Sequence, residues 1–285
     1  MSGSKVLVIG AAGYIGSAVA AAFAAAGHRV SGLQRPGGRP VPRAYRAVPG
    51  DLTDPPSLVA AVDGFDLVVH VGALRDDRYE QPGLRALLGT GTPMLYTSGV
   101  DVLGPGEVTE DSPPEPHPIV AWRAPSEIAV RAHGGRLIRP GLVYGNGGGV
   151  VHHMLAPMTA RLGCGIFLGE PGVRWAAVHV EDLARLFVAV AERAAPGTAW
   201  NAVAETVRVD DIARAIGGGV ARSLPVDQAP PEIHDIAGLF RYDQAVSAER
   251  TRREMSWQPV HESILDELGR WSPAARSDHA LEGHR

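Results

Sequence analysis

Seven residues near the start of the chain, Gly10-Ala11-Ala12-Gly13-Tyr14-Ile15-Gly16, constrain the fold more than any others. They stand between a short apolar, β-branched run, Lys5 to Ile9, and an alanine-rich stretch from Tyr14 to Ala26 that Gly27 closes. The first run reads as a strand buried on both faces. The second reads as a helix with a glycine stop. Gly10 permits a tight turn, Gly13 leaves room for a pyrophosphate against the backbone, and Gly16 lets the helix pack closely. Free N–H groups where the helix opens, at Tyr14 and Ile15, and the positive end of its dipole favour an anion there. The spacing is G-x-x-G-x-x-G rather than the more widespread G-x-G-x-x-G. Its setting, with a strand before and a helix after, is what points to dinucleotide binding.

The rest of the first half keeps the rhythm. Strands are expected at Arg29–Leu33, Tyr45–Val48, Asp66–Val71, Met94–Ser98 and Arg136–Arg139. Pro55 and Pro56 open a helix to about Val62. A further helix, Ile119 to His133, must bend or break at Pro125. Alternating strands and helices place the chain in the α/β class, with a Rossmann-type doubly wound parallel sheet over residues 1–145. Beyond the Gly147-Gly148-Gly149 break, helices are expected at Val151–Leu162, Glu181–Arg193, Asp210–Ile216, Val246–Glu254 and Ser263–Trp271. They make residues 146–271 a smaller mixed C-terminal cap, interleaved with the last core strands. Residues 272–285 read as a flexible tail.

Apolar residues make up 45% and charged residues 20%, enough for a sizeable core. The net charge of -4 argues against a nucleic-acid partner. No apolar run approaches the ~18 residues that cross a bilayer, so no membrane association is expected. Met1 to Lys5 shows no leader pattern, and a cytoplasmic location is the default. Cys164 is the single cysteine, which excludes an internal disulfide and a cysteine metal cluster. His152 and His153 are adjacent, so on a helix their rings diverge by about 100°. No metal is expected.

Where NAD-preferring sites place an acid at the end of the second strand, this chain reads Gln34-Arg35, with Arg39 nearby. Arginine pairs with a 2′-phosphate through two donors, which favours NADP over NAD.

Several further blocks stand in order. They are Asp51-Leu52, His70-Val71-Gly72-Ala73, Tyr96-Thr97-Ser98-Gly99, Arg139-Pro140-Gly141-Leu142-Val143-Tyr144-Gly145 and His179-Val180-Glu181-Asp182-Leu183-Ala184. With the glycine turn, they resemble the short-chain dehydrogenase/reductase superfamily over roughly Lys5 to Trp271. The nearest branch is the extended or atypical NAD-dependent epimerase/dehydratase family. The resemblance implies that Asp51 and Leu52 contact the adenine and that Val71, Gly72 and Ala73 pass under the cofactor. It implies a catalytic hydroxyl at Ser98 and backbone at Pro140 and Val143 against the nicotinamide.

One part of the family pattern is missing. Members carry a Y-x-x-x-K pair, in which the tyrosine moves a proton at the substrate oxygen and the lysine holds the nicotinamide ribose. Lys5 is the one lysine among 27 basic residues, so the pair is absent. Glu127 serves as an anchor, because the family often has a glutamate four residues after the lysine. It sets Arg123 at the lysine position and Ile119 at the tyrosine position. Arg123 suits the ribose hydroxyls but is a poor proton shuttle, because a guanidinium keeps its proton near neutrality. Candidates for the proton are Tyr144, Ser98, His70, His152, His153 and His179. The charged cluster Arg75-Asp76-Asp77-Arg78 is expected near the substrate crevice.

The resulting expectation is an NADP-dependent oxidoreductase-like enzyme acting on a small, apolar organic carbonyl or imine, with non-standard proton delivery. Ser98, Arg123 and Tyr144 are the catalytic candidates. The alternatives are a non-redox lyase, isomerase or cyclase on the same scaffold, and a non-catalytic NADP(H) sensor. The stretch from His70 to Ser98 carries Pro82, Gly83, Gly89, Gly91 and Pro93, so only a short helix is expected there. The family's usual dimer surface would then be truncated, leaving a monomer or a non-standard dimer.

Overall fold

A computed structural model describes residues 3–72 and 77–270, the side chains of 77–79 excepted. The strands are β1 (Lys5–Ile9), β2 (Arg29–Gln34), β3 (Arg46–Pro49), β4 (Leu67–His70), β5 (Met94–Thr97), β6 (Gly106–Val108), β7 (Arg136–Pro140), β8 (Leu142–Tyr144), β9 (Gly165–Leu168), β10 (Arg174–His179), β11 (Ala199–Ala202), β12 (Glu205–Arg208), β13 (Ala221–Leu224) and β14 (Gln244–Val246). The α-helices are α1 (Tyr14–Ala25), α2 (Pro55–Val62), α3 (Asp77–Gly89), α4 (Arg123–Ala132), α5 (Ala156–Leu162), α6 (Val180–Arg193), α7 (Val209–Ile216), α8 (Glu249–Met255) and α9 (Ile264–Gly269).

Seven parallel strands form the main sheet in the order β11-β7-β5-β4-β1-β2-β3. The chain runs outward from β1 through β2 and β3, then returns to the other side of β1 with β4. That reversal opens a crevice at the carboxyl ends of β1 and β4, the place where open α/β sheets bind ligands. The period-2 alternation of β1 builds both layers. Val6 and Val8 face a cluster with Phe23 of α1 and Leu183, Phe187 and Val190 of α6. Leu7 and Ile9 face Leu58 of α2, Leu84 and Leu87 of α3 and Val130 of α4. The sequence expectation of a doubly wound α/β sheet is what the fold shows.

The remaining chain builds a second apolar cluster around Val151, Leu155, Met158, Ile212, Phe240 and Ile264. Two small sheets, β12-β10-β8 and β13-β9, contribute to it, while a third, β14-β6, places Val108 and Val246 in a separate smaller cluster. β11 leaves this region to pair with β7, with Asn201 opposite Arg139. No described helix is long and apolar enough to cross a membrane.

Three expected elements differ. The helix expected over 119–133 is a 3₁₀ turn, Pro118–Val120, followed by α4. Pro125 thus sits in the first turn of α4, where its missing N–H is not needed. The helix expected from Val246 is preceded by β14 and begins only at Glu249, because Gln244 and Val246 pair with Gly106 and Val108 of β6. The short helix expected between His70 and Ser98 is in fact the 13-residue α3, with Pro82 inside it. Its apolar residues Leu84, Leu87 and Leu88 are buried under the sheet, and that burial outweighs the local cost of proline.

Candidate active site

The glycine turn has the geometry its spacing demands. Gly10 has φ +90°, and a Cβ there would meet the Gly72 nitrogen at 2.9 Å. A Cβ on Gly16 would sit 2.0 Å from the Gly10 carbonyl oxygen, so α1 can approach β1 only through glycine. A Cβ on Gly13 would touch the Gly10 oxygen alone, at 3.2 Å, and the other side stays open. Gly13 caps α1 with no side-chain hydrogen bond, and no acidic residue stands in the first turn. The helix therefore opens with uncompensated N–H donors, an arrangement suited to a diphosphate.

The loop after β2 folds back over this turn. Gln34 organises it: its amide nitrogen donates to the carbonyls of Arg35, Gly38 and Arg39, and its amide oxygen accepts from Val41 N–H at 2.8 Å. Arg39 reaches the Ala12 carbonyl with an Nη1 hydrogen bond of 3.3 Å. Arg35 is exposed beside it. On the other flank, the Asp51 carboxylate accepts from Thr53 N–H and hydroxyl, both at 2.9 Å, which fixes the turn carrying Leu52. Val71 and Gly72 both donate to the Ile9 carbonyl, at 2.9 and 3.1 Å, bringing this segment under the turn. Ala73 and the Arg75–Asp76 part of the charged cluster lie outside the described residues, as do the side chains of Asp77 and Arg78.

Beyond the turn lies a cavity of about 390 Å³. Tyr14, Ile15, Val71, Ser98, Arg123, Pro140 and Val143 all line it. These residues are far apart in sequence and share one wall because parallel strands end together there. Ser98 is 3% exposed, and among the described residues neither its hydroxyl nor that of Thr97 has a hydrogen-bond partner. Orphaned buried hydroxyls facing a cavity are what a bound ligand would satisfy. Arg123 enters from the start of α4, its Nη1 donating to the Thr97 carbonyl at 3.4 Å and its guanidinium over the Trp122 ring. Glu127, one turn later, forms a buried two-pronged pair with Arg139 at 3.0 and 2.6 Å. That pair ties α4 to β7, and so ties Arg123 to Pro140.

Other sequence candidates fall elsewhere. Tyr144 is corrected: it does not line the cavity. Its hydroxyl donates to the Glu262 carbonyl at 2.7 Å and lies 3.3 Å from the Glu205 carboxylate. Burial, then Glu205, pushes its pKa far above the usual tyrosine range. β8 pairs with β10 in the cap sheet, so the alternate residues turn toward the cap. His70 is buried against Tyr96, and burial lowers its pKa. His179 caps α6, accepting from Glu181 N–H at 3.2 Å. Its ring stacks on His261 at 3.9 Å and 9°. His179, Glu181 and His261 present ligand-type atoms within 4.8 Å of one another. With the two rings parallel and stacked, one ion cannot lie in both ring planes. The group instead latches the C-terminal segment: Asp182 accepts from the Val260 and His261 N–H groups and the His261 ring. Ile119 is 38% exposed and does not line the cavity.

Among the lining residues that no sequence pattern singles out are Asp101, Trp175, Leu239, Tyr242 and Gln244. Four of them come from the cap, over a hundred residues from the fold's first strands. Gln244 is bonded to the Val100 and Gly104 carbonyls at 3.0 and 2.6 Å, and Trp175 Nε1 donates to the Leu239 carbonyl at 3.0 Å. The only early signal was Asp101, an acid three residues after Ser98.

A glycine cradle that rejects a Cβ, followed by a strand-end crevice with unpartnered hydroxyls, suits a nicotinamide dinucleotide and defines the short-chain dehydrogenase/reductase class. Within it, the chain belongs to the NAD-dependent epimerase/dehydratase family, whose model matches residues 6–83. It is 30% identical over 290 residues to the uncharacterized protein YLL056C of Saccharomyces cerevisiae, covering 93% of this chain and 97% of that one. It is also 30% identical over 308 residues to a 3-diazoavenalumate denitrifying reductase of Streptomyces sp, covering 93% and 99%. Among solved structures, a double mutant of DesIV, a dTDP-glucose 4,6-dehydratase of Streptomyces venezuelae with NAD and DAU bound, superposes with a TM-score of 0.76. The identity is 20%, with 97% and 98% of the two chains covered, and the likeness is one of fold.

Proposed function

We propose that the chain is an NADP(H)-dependent reductase of a small, apolar organic carbonyl or imine. The observation that carries this is the shared cavity of Ser98, Arg123, Pro140 and Val143, continuous with the glycine turn at Tyr14 and Ile15. The diphosphate would lie on the N-terminus of α1 and the adenine beside Asp51 and Leu52. Arg35 and Arg39 would pair with a 2′-phosphate, since the position that favours NAD carries Gln34, whose amide is engaged in the loop. Arg123 would hold the nicotinamide ribose, with Ser98 donating to the substrate heteroatom. A reduced nicotinamide bound there supplies a hydride. Trp175, Leu239 and Val100 give the cavity apolar lining, which suits a substrate without sugar or phosphate groups. The Streptomyces relative, a reductase by name, supports redox chemistry on this variant of the scaffold.

A non-redox isomerase or lyase is the second reading, favoured by Ile119 at the tyrosine position and outside the cavity. Calorimetry with NADPH and NADH, followed by NADPH absorbance with aryl ketones, quinones, imines and diazo compounds, separates the two. Loss of absorbance with one acceptor supports the reductase. Conversion without net absorbance change supports the isomerase. Binding of nucleotide with no conversion leaves a sensor. A monomer, or a dimer on a surface other than α3, remains our proposal for assembly. Light scattering that shows a tight dimer joined through α3 would reject it.

A further inference from the structure

Reduction of a C=O or C=N bond needs a proton at the heteroatom as well as a hydride at carbon, and the usual tyrosine is replaced by Ile119. The side chains lining the cavity identify another source. Tyr14 donates its hydroxyl to the Gly145 carbonyl at 2.7 Å, and Tyr242 donates to the Glu115 carbonyl at 3.0 Å. Burial first, then Asp101 and Glu115, pushes Tyr242 up to about 12. Arg123 does not release a proton near neutrality. Ser98 and Thr97 offer hydroxyls that need a base of their own. Asp101 is the one carboxyl among the described lining residues. It is the middle residue of the 3₁₀ turn Val100–Val102, which follows Ser98 and Gly99. Its main chain is anchored by His117 N–H donating to its carbonyl at 3.1 Å, while among the described residues none donates a hydrogen bond to its carboxyl.

Resting on the reductase reading, we propose that Asp101 is the catalytic acid that protonates the substrate heteroatom in place of the missing tyrosine. The O–H bond of the Asp101 carboxyl breaks as the new O–H or N–H bond forms on the substrate. The carbonyl π pair moves to that heteroatom, and the hydride is supplied by a reduced nicotinamide. One proton and one hydride are added, and the carboxylate left behind is reprotonated from solvent. The groups facing Asp101 are Arg123 from α4, His117 from the loop before it, and Tyr242 from the cap. Burial raises the carboxyl above its ordinary value, against the opposing pull of Arg123 and then His117. The acid form therefore persists to higher pH than in an exposed aspartate, and Arg123 stands ready to stabilise the carboxylate once it forms.

The test combines a substrate-free readout with a kinetic one. Carboxyl ¹³C NMR of the aspartate-labelled protein, with Asp101→Asn used to assign the resonance, should show Asp101 titrating above the usual value of about 4. With phenanthrenequinone as a planar dicarbonyl probe, kcat/KM should fall as pH rises through that same pKa. Asp101→Asn should retain NADPH binding, lose about 100-fold or more in kcat, and lose that limb of the profile. Asp101→Glu should recover part of the rate and keep the limb. A carboxyl titrating at or below the ordinary value overturns the proposal. So does an Asp101→Asn enzyme with an unchanged pH profile. Failure of the wild type to reduce any acceptor would instead remove the reductase reading, and the NMR titration still judges Asp101.

Discussion

Arg39 donates a hydrogen bond to the carbonyl of Ala12, inside the glycine-rich turn, at 3.3 Å. A basic loop is thereby held over the place where the adenosine end of a dinucleotide would lie, and Gln34 beneath it carries no charge to oppose a phosphate. Replacing Arg39 or Arg35 with glutamate should weaken NADPH far more than NADH. Losing a charge-assisted hydrogen bond costs about 1.5–3 kcal/mol, roughly 10- to 100-fold in Kd. Equal losses for both nucleotides, measured by calorimetry, would reject the NADP assignment.

Gly16→Ala should be severe. Its Cβ would lie 2.0 Å from the Gly10 carbonyl oxygen, so α1 must lift off β1. We expect a loss of about 1–3 kcal/mol or more, together with loss of nucleotide binding. Gly89→Ala, which meets no atom within 4 Å, is the control and should leave both unchanged. Thermal melts with and without NADPH decide this.

Glu127→Leu should destabilise the fold by about 3–5 kcal/mol, because it leaves the Arg139 guanidinium, 1% exposed, without its partner. Adding Arg139→Met should recover most of that loss. Urea unfolding of the two variants measures it; a double variant as unstable as the single one would contradict the account.

Acid should loosen the cap latch. Burial, then the neighbouring His261, holds the His179 pKa below its ordinary value, while Glu267, Asp182 and Glu181 pull the other way. A group depressed in the folded state contributes stability that is present above its unfolded pKa of about 6.5 and lost as pH falls through the folded value. Tm should therefore fall between pH 7 and pH 5. In His179→Asn, which keeps a side chain able to cap α6, the fall should be shallower.

Much of the nucleotide-binding half was legible in the chain alone. The β1 run, the three glycines and α1 follow from backbone sterics and from periodicities of 2 and 3.6 residues, which act over a few positions. Counting back from Glu127 leads to Arg123, and one helix, α4, carries both and brings Arg123 to the cavity wall. Tyr144 was misjudged: whether a strand residue turns to the cavity or the cap depends on which neighbour the strand pairs with, here β10. Pro82 misled for a related reason, since the burial that sustains α3 involves the sheet and not the local sequence.

The primary structure by itself thus determined the sheet class, the phosphate cradle, the basic loop and the absence of the tyrosine–lysine pair, because each depends on residue identity and short-range spacing. Only the tertiary structure decided which polar groups face the space beyond the nicotinamide position. Gln244 reaches back across 140 positions to the Gly104 carbonyl, and Asp101, Tyr242 and Trp175 meet around one cavity. Contacts at that separation are selected by packing of the cap on the sheet, and no local pattern encodes them.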